Sequence, residues 1–243
     1  MKSLLLSERL VSIVARKKIV FVIVEGPSDQ DALAVILSRI YSSNEVYVHV
    51  VHGDITTQFN ETSQENIFTK VAGEINHYAS NNHLNKDDFK EIIHIVDTDG
   101  TYVPDECIVE DENATEPFYS LTEIRTKNKK GIESRNKRKS TNINKLCSKQ
   151  SIWDVPYSVY YMSCNLDHVL YNQLNCSDEE KEINSFKFAK TYKDKVPEFL
   201  QFIGESDFSV TSNYKDSWDF IKQGKNSLNR YTNLGVCFQP KDD

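Results

Sequence analysis

Apolar and polar positions follow two rhythms along this chain. From residue 3 to residue 16, Leu4, Leu5, Leu6, Leu10, Val11, Ile13 and Val14 recur at helical spacing and predict an amphipathic helix. Ile19 to Val24 is an unbroken apolar run, mostly β-branched, the pattern of a strand buried on both faces of a parallel sheet. It stops at Glu25-Gly26-Pro27. Ser28 with Asp31 then reads as the cap of a helix whose stripe is Leu33, Ile36, Leu37 and Ile40. Residues 45–51 read as a second strand ending before Gly53. Thr62 with Glu65 predicts the cap of a helix carrying Ile67, Phe68, Val71, Ala72, Ile75 and Ala79. Residues 91–96 form a third buried strand that stops at Asp97-Thr98-Asp99-Gly100. The order αβαβαβ predicts an α/β fold, a Rossmann-like parallel sheet with right-handed crossovers.

Beyond Gly100 the rhythm weakens. Residues 101–156 are polar and charged, with a short helix expected near 140–148. Residues 157–162 predict a fourth strand, and residues 167–174 a helix. Ser177 with Glu180 starts another helix, with Ile183, Phe186 and Ala189 at apolar positions. The tail is aromatic-rich and reads as helical packing. Over 243 residues the expected organisation is an α/β domain across 1–175, with a basic insert at about 101–156, and a mainly helical extension across 176–243 packed on it.

Charge changes this picture. The net charge of −7 argues against nucleic acid as a partner. The distribution argues the other way. Arg125, Lys127, Lys129, Lys130, Arg135, Lys137, Arg138, Lys139, Lys145 and Lys149 crowd into residues 125–149 with a single acid, Glu133, so the rest of the chain is more acidic than the net value suggests. That window reads either as a solvated surface loop or as a phosphate-contacting arm. The 5 cysteines lack CxxC spacing, which fits a reducing, cytoplasmic compartment. Charged residues break up the apolar N-terminal stretch, and no run is long enough for a membrane span.

The acids at the strand ends are the candidate chemistry. Glu25 and Asp29 follow the first strand, Asp97 and Asp99 the third, and Asp167 the fourth. Function in open α/β sheets gathers at the carboxyl ends of the strands. Carboxylates at that density repel one another unless a cation intervenes, and hard oxygen ligands favour Mg²⁺ or Mn²⁺. His168 beside Asp167 is a weaker candidate, as general base, ligand or packing residue.

Val22-Ile23-Val24-Glu25-Gly26-Pro27-Ser28-Asp29 together with Ile92-Ile93-His94-Ile95-Val96-Asp97-Thr98-Asp99-Gly100 resembles the TOPRIM domain. The wording is most like the overcoming-lysogenization-defect (OLD) nucleases and related stand-alone phage-defence proteins. The resemblance covers residues 19–100 and extends less closely to about 175. It implies a Rossmann-like sheet of TOPRIM type and a metal-dependent nuclease acting on DNA or RNA. Glu25, Asp97 and Asp99 would be catalytic. Glu25, Asp29, Asp97, Asp99 and, more weakly, Asp167 would be ligands for Mg²⁺ or Mn²⁺. Arg125, Lys127, Lys129, Lys130, Arg135, Lys137, Arg138 and Lys139 would face nucleic acid. The resemblance also implies an anti-phage defence setting. No G-x-x-x-x-G-K-[ST] occurs, so the ATPase usual in that class would be a separate chain. A homodimer is compatible. Two other readings stay open: a non-catalytic module that binds nucleic acid or a partner on a degenerate TOPRIM core, and a primase-like nucleotidyl transferase.

Overall fold

The computed structural model describes residues 18–41, 45–51, 53–58 and 66–240. The helix expected over residues 3–16 and the Thr62–Glu65 cap lie outside them.

In chain order the elements are β1 (Ile19–Val24), α1 (Pro27–Ile40), β2 (Val46–Val50), α2 (Ile67–Asn81), β3 (Phe89–Asp97), β4 (Ile108–Glu110), β5 (Phe118–Tyr119), β6 (Ile124–Thr126), α3 (Lys129–Cys147), β7 (Ser151–Ile152), β8 (Val155–Met162), α4 (Leu166–Tyr171), α5 (Asp178–Tyr192), α6 (Val196–Glu205) and α7 (Tyr214–Ile221). The main sheet has the order β2-β1-β3-β8-β7. Its first four strands are parallel, and β7 closes the edge antiparallel to β8. This is a mixed α/β architecture with a parallel-rich sheet. The β1 run is buried throughout because both of its faces are covered. Val20, Val22 and Val24 pack with α1, α4 and α6 residues, whereas Phe21 and Ile23 pack with α2, α3 and α7 residues. Among the described residues no helix is long and apolar enough to cross a membrane.

The start of α1 differs from the sequence expectation. Gly26, not Ser28, precedes the first turn, and Pro27 occupies the first helical position, which suits its fixed φ and missing N–H. The Gly26 N–H donates to Asp29 Oδ2 at 2.9 Å, so Asp29 acts as the capping acid. The start of α2 is capped by Asn66, whose side chain accepts from Phe68 N.

The polar stretch after Gly100 is the larger correction. In place of a loop with a short helix near 140–148, it holds a small sheet of order β4-β6-β5 and the 19-residue helix α3. The buried positions of α3 are Ile132, Asn136, Lys139, Ile143 and Leu146, one continuous stripe at helical spacing. Two of its places hold polar side chains, so an apolar count misses it. Ile143 and Leu146 are fully buried and contribute roughly 1.5–3 kcal/mol each, which anchors the helix on the sheet. The apolar positions expected on α5 also resolve differently. Ser185 and Phe188 are buried, while Ile183 and Phe186 face outward. The Ser177–Glu180 capping box forms as the sequence predicts.

Candidate metal centre

Strand order places the acids together. β1 and β3 are neighbours, and Glu25 and Asp97 meet where both strands end. The Asp97 N–H donates to Glu25 Oε1 at 3.1 Å. Next to them, Thr98 N–H donates to Met162 O at 3.0 Å and Asp99 N–H to Cys164 O at 2.7 Å. The Thr98 hydroxyl donates to Ser227 O and accepts from Cys164 N, both at 2.9 Å. These bonds force the chain into a tight turn in which Asp99 and Gly100 have φ values of 46° and 64°. Gly100 is required there. A Cβ at that position would lie 2.6 Å from Leu228 Cδ2 and 3.0 Å from Ile124 Cδ1, on top of its left-handed backbone.

A cleft of about 370 Å³ opens above these strand ends. Glu25, Asp29, Asp97, Asp99 and Asp167 all line it, so the structure brings every sequence-predicted acid to one place. Asp29 comes from the first turn of α1 and Asp167 from the first turn of α4. The cleft also contains Asp54, which the sequence reading did not single out. Asp54 follows Gly53 just past the end of β2. An acid after a strand-terminating glycine was the available signal, parallel to Glu25 and Asp97. Its Oδ1 accepts from Thr56 N at 2.8 Å and from the Thr56 hydroxyl.

The basic window divides in two. Arg125, Lys127, Lys130 and Lys137 are exposed, and Lys129 and Arg138 are half-buried. Arg125 pairs with Glu123, Lys129 with Glu133 at 3.9 Å, and Arg138 donates to Thr57 O at 3.2 Å. Lys139 instead turns fully inward. Its Nζ lies 2.8 Å from Asp54 Oδ2, 2.5 Å from Asp99 Oδ2 and 3.8 Å from Glu25 Oε1. Arg135 backs it up, donating to Asp99 O at 2.9 Å and to the Tyr119 hydroxyl at 2.6 Å. Asn142 Nδ2 donates to Thr56 O at 2.7 Å, so α3 also clamps the loop that carries Asp54.

Electrostatics follow from this geometry. Burial alone would push the Lys139 ammonium down, but Asp99, Glu25 and Asp54 outweigh it and hold the pKa well above the ordinary lysine range. Burial likewise opposes ionisation of Asp54, and Lys139 more than compensates, so that carboxyl is held low. The acids farther from the ammonium behave oppositely. Burial raises Glu25 well above its ordinary value despite Lys139. Burial and then the Glu25 charge raise Asp97. Burial raises Asp29 to about 6 and also lifts Asp167.

Glu25, Asp54 and Asp99 each offer an oxygen within 4.8 Å of the others, a spacing compatible with a shared cation. That triad already surrounds the Lys139 ammonium. The donor set still fits a hard divalent ion, because it is entirely oxygen and because burial and neighbouring negative charge leave Glu25 and Asp97 poorly compensated even with the ammonium nearby. His168 is not part of this centre. It is buried, lines a separate cavity with Asp207, Phe208 and Arg230, and burial lowers its pKa to about 4. His94 is a sheet residue bonded to the Tyr157 hydroxyl at 2.8 Å.

Comparison of the chain with protein-family models, with curated proteins and with solved structures found no match.

Proposed function

We propose that this protein is a divalent-metal-dependent nuclease of TOPRIM type, cleaving phosphodiester bonds of DNA or RNA. The observation that carries this reading is the convergence of Glu25, Asp29, Asp97, Asp99 and Asp167 in one cleft at the carboxyl ends of parallel strands, with α3 reaching the acids from behind through buried Lys139. Asp97 and Asp99 would hold Mg²⁺ or Mn²⁺, with Asp29 and Asp167 completing the shell and Glu25 beside the attacking water. When bound, the ion would polarise a phosphoryl oxygen and acidify a water. Glu25 Oε1 is occupied by the Asp97 N–H, so Oε2 would be the oxygen available to accept a proton from an attacking water. The Lys139 ammonium would offset charge on the phosphate. The exposed Arg125, Lys127, Lys130 and Lys137 would bind flanking phosphates, without specifying sequence. An effector role in anti-phage defence, with a separate ATPase chain, rests on the TOPRIM resemblance of the sequence.

The test is incubation of the purified chain with plasmid DNA and with total RNA in Mg²⁺ or Mn²⁺, beside Glu25→Ala and Asp97→Ala. The expected result is metal-dependent cleavage by the wild type and none by either variant, with both variants melting cooperatively. Cleavage by a variant at the wild-type rate would sink the site assignment.

One observation favours a second reading, a non-catalytic binding module. Lys139 already neutralises part of the acid cluster without any metal. That reading expects nucleic-acid binding with no cleavage and no rise in melting temperature on adding Mn²⁺.

A further inference from the structure

Helix α5 displays an apolar patch that no other described residue covers. Phe186 is 69% exposed and Ile183 44% exposed, and Val35 of α1 beside them is 39% exposed. Together with Asp31, Glu182 and Lys190 they line an open groove of about 730 Å³ between α1 and α5. Large apolar side chains grouped in this way on a surface mark an interaction site.

The charges flanking the patch are ordered. Glu179, Glu182, Ile183, Phe186, Lys187 and Lys190 fall on one face of α5 at helical spacing. The acids occupy its N-terminal half and the lysines its C-terminal half. All six are exposed, and no ion pair among the described residues engages Glu179, Glu182, Lys187 or Lys190. Such a face is complementary to itself when reversed. Placed antiparallel against its own copy about a two-fold axis level with Asn184 and Ser185, it sets Ile183 against Phe186 of the second copy. The same register sets Glu182 against Lys187 and Glu179 against Lys190, each contact occurring twice. The second Phe186 would enter the groove beside Val35, and the second Lys187 would also approach Asp31.

We infer that the chain forms a two-fold homodimer through α5, with Phe186 and Ile183 at its centre and two reciprocal Glu–Lys pairs on each side. The helix is about 22 Å long, so the contact is smaller than the roughly 800 Å² per partner of a tight complex, and the affinity falls in the micromolar range. This inference does not depend on the nuclease reading.

Sedimentation velocity of the full chain across the micromolar range tests it. The wild type should shift from monomer to dimer with rising concentration. Phe186→Asp should remain monomeric with its melting temperature unchanged, since Phe186 adds little to the fold. Glu182→Lys and Lys187→Glu should each weaken dimerisation roughly tenfold or more, because each creates two like-charge contacts. The double swap Glu182→Lys/Lys187→Glu should recover it, as should an equimolar mixture of the two single variants. A wild type that stays monomeric, its groove covered by another segment or partner, overturns the inference. So does a dimer that survives Phe186→Asp, or a double swap no better than the single variants.

Discussion

The Lys139 ammonium lies 2.5 Å from Asp99 Oδ2, across 40 positions of sequence, and 2.8 Å from Asp54 Oδ2. It is completely buried, so this contact is not a surface ion pair of small consequence. Removing the ammonium from such a cluster leaves like charges facing each other in a poorly solvated site, whereas in the intact cluster it offsets part of that repulsion.

Lys139→Met should therefore destabilise the fold by about 3–5 kcal/mol, measured by urea denaturation in chelator. Mn²⁺ should restore more stability to this variant than it adds to the wild type, because an added cation replaces the missing charge. A loss below about 1 kcal/mol, with no extra response to Mn²⁺, would show that the ammonium is incidental.

The buried acids give the metal-free protein a particular pH dependence. Burial raises Asp29 from 3.8 to about 6 in the folded state. A carboxyl with a raised folded pKa binds its proton more tightly folded than unfolded. Its contribution to stability is complete below 3.8 and is lost as pH rises towards about 6. Asp29→Asn retains an oxygen to accept from Gly26 and removes the titration. In chelator at neutral pH the variant should be more stable than the wild type, by on the order of 2–3 kcal/mol. The gap should close as pH falls towards 4, where comparison with the wild type cancels the opposite contribution of the buried histidines. A gap independent of pH would refute this account.

Gly100→Ala should cost about 2–4 kcal/mol, since the new methyl meets Leu228 and Ile124 and sits on a left-handed backbone. Because the residue adjoins Asp99, any metal-dependent activity should fall further than stability does. Thermal melting and cleavage measured on the same preparation separate the two effects.

On the nuclease reading, Lys130→Ala and Lys137→Ala on exposed α3 positions should weaken nucleic-acid binding equally across sequences. Each should also reduce the slope of log affinity against log salt by about 1. Fluorescence anisotropy over a salt series measures it. An unchanged slope would place the nucleic acid elsewhere.

The sheet was legible in the sequence because β1 and β3 are continuous apolar runs that end in acids. Glu25 and Asp97 could be named from that alone, and strand adjacency then brought them together. Only the C-terminal part of helix α3 was legible, as the short helix expected near 140–148, and the reason the rest was not is physical. Its buried stripe includes Asn136 and Lys139, so the polar side chains required at the centre erase the apolar period that would announce the helix. Asp54 escaped notice for a related reason. Its neighbour Gly53 marks a strand end, but only the approach of α3 through Lys139 and Asn142 gives the acid a role. The exposure of Phe186 and Ile183 was equally hidden, since periodicity locates an apolar face without saying what covers it.

The long sequence separation within the Lys139 cluster has a consequence for synthesis. A ribosome delivers Glu25, Asp54 and Asp99 well before the residue that neutralises them. The nascent first half of the chain therefore carries three acids that must stay hydrated, and its sheet edge cannot close around them. Neutralisation requires the helix at residues 129–147, and the turn that holds Asp99 further requires Met162, Cys164 and Ser227, so the acid-bearing end cannot be completed before nearly the whole chain is made.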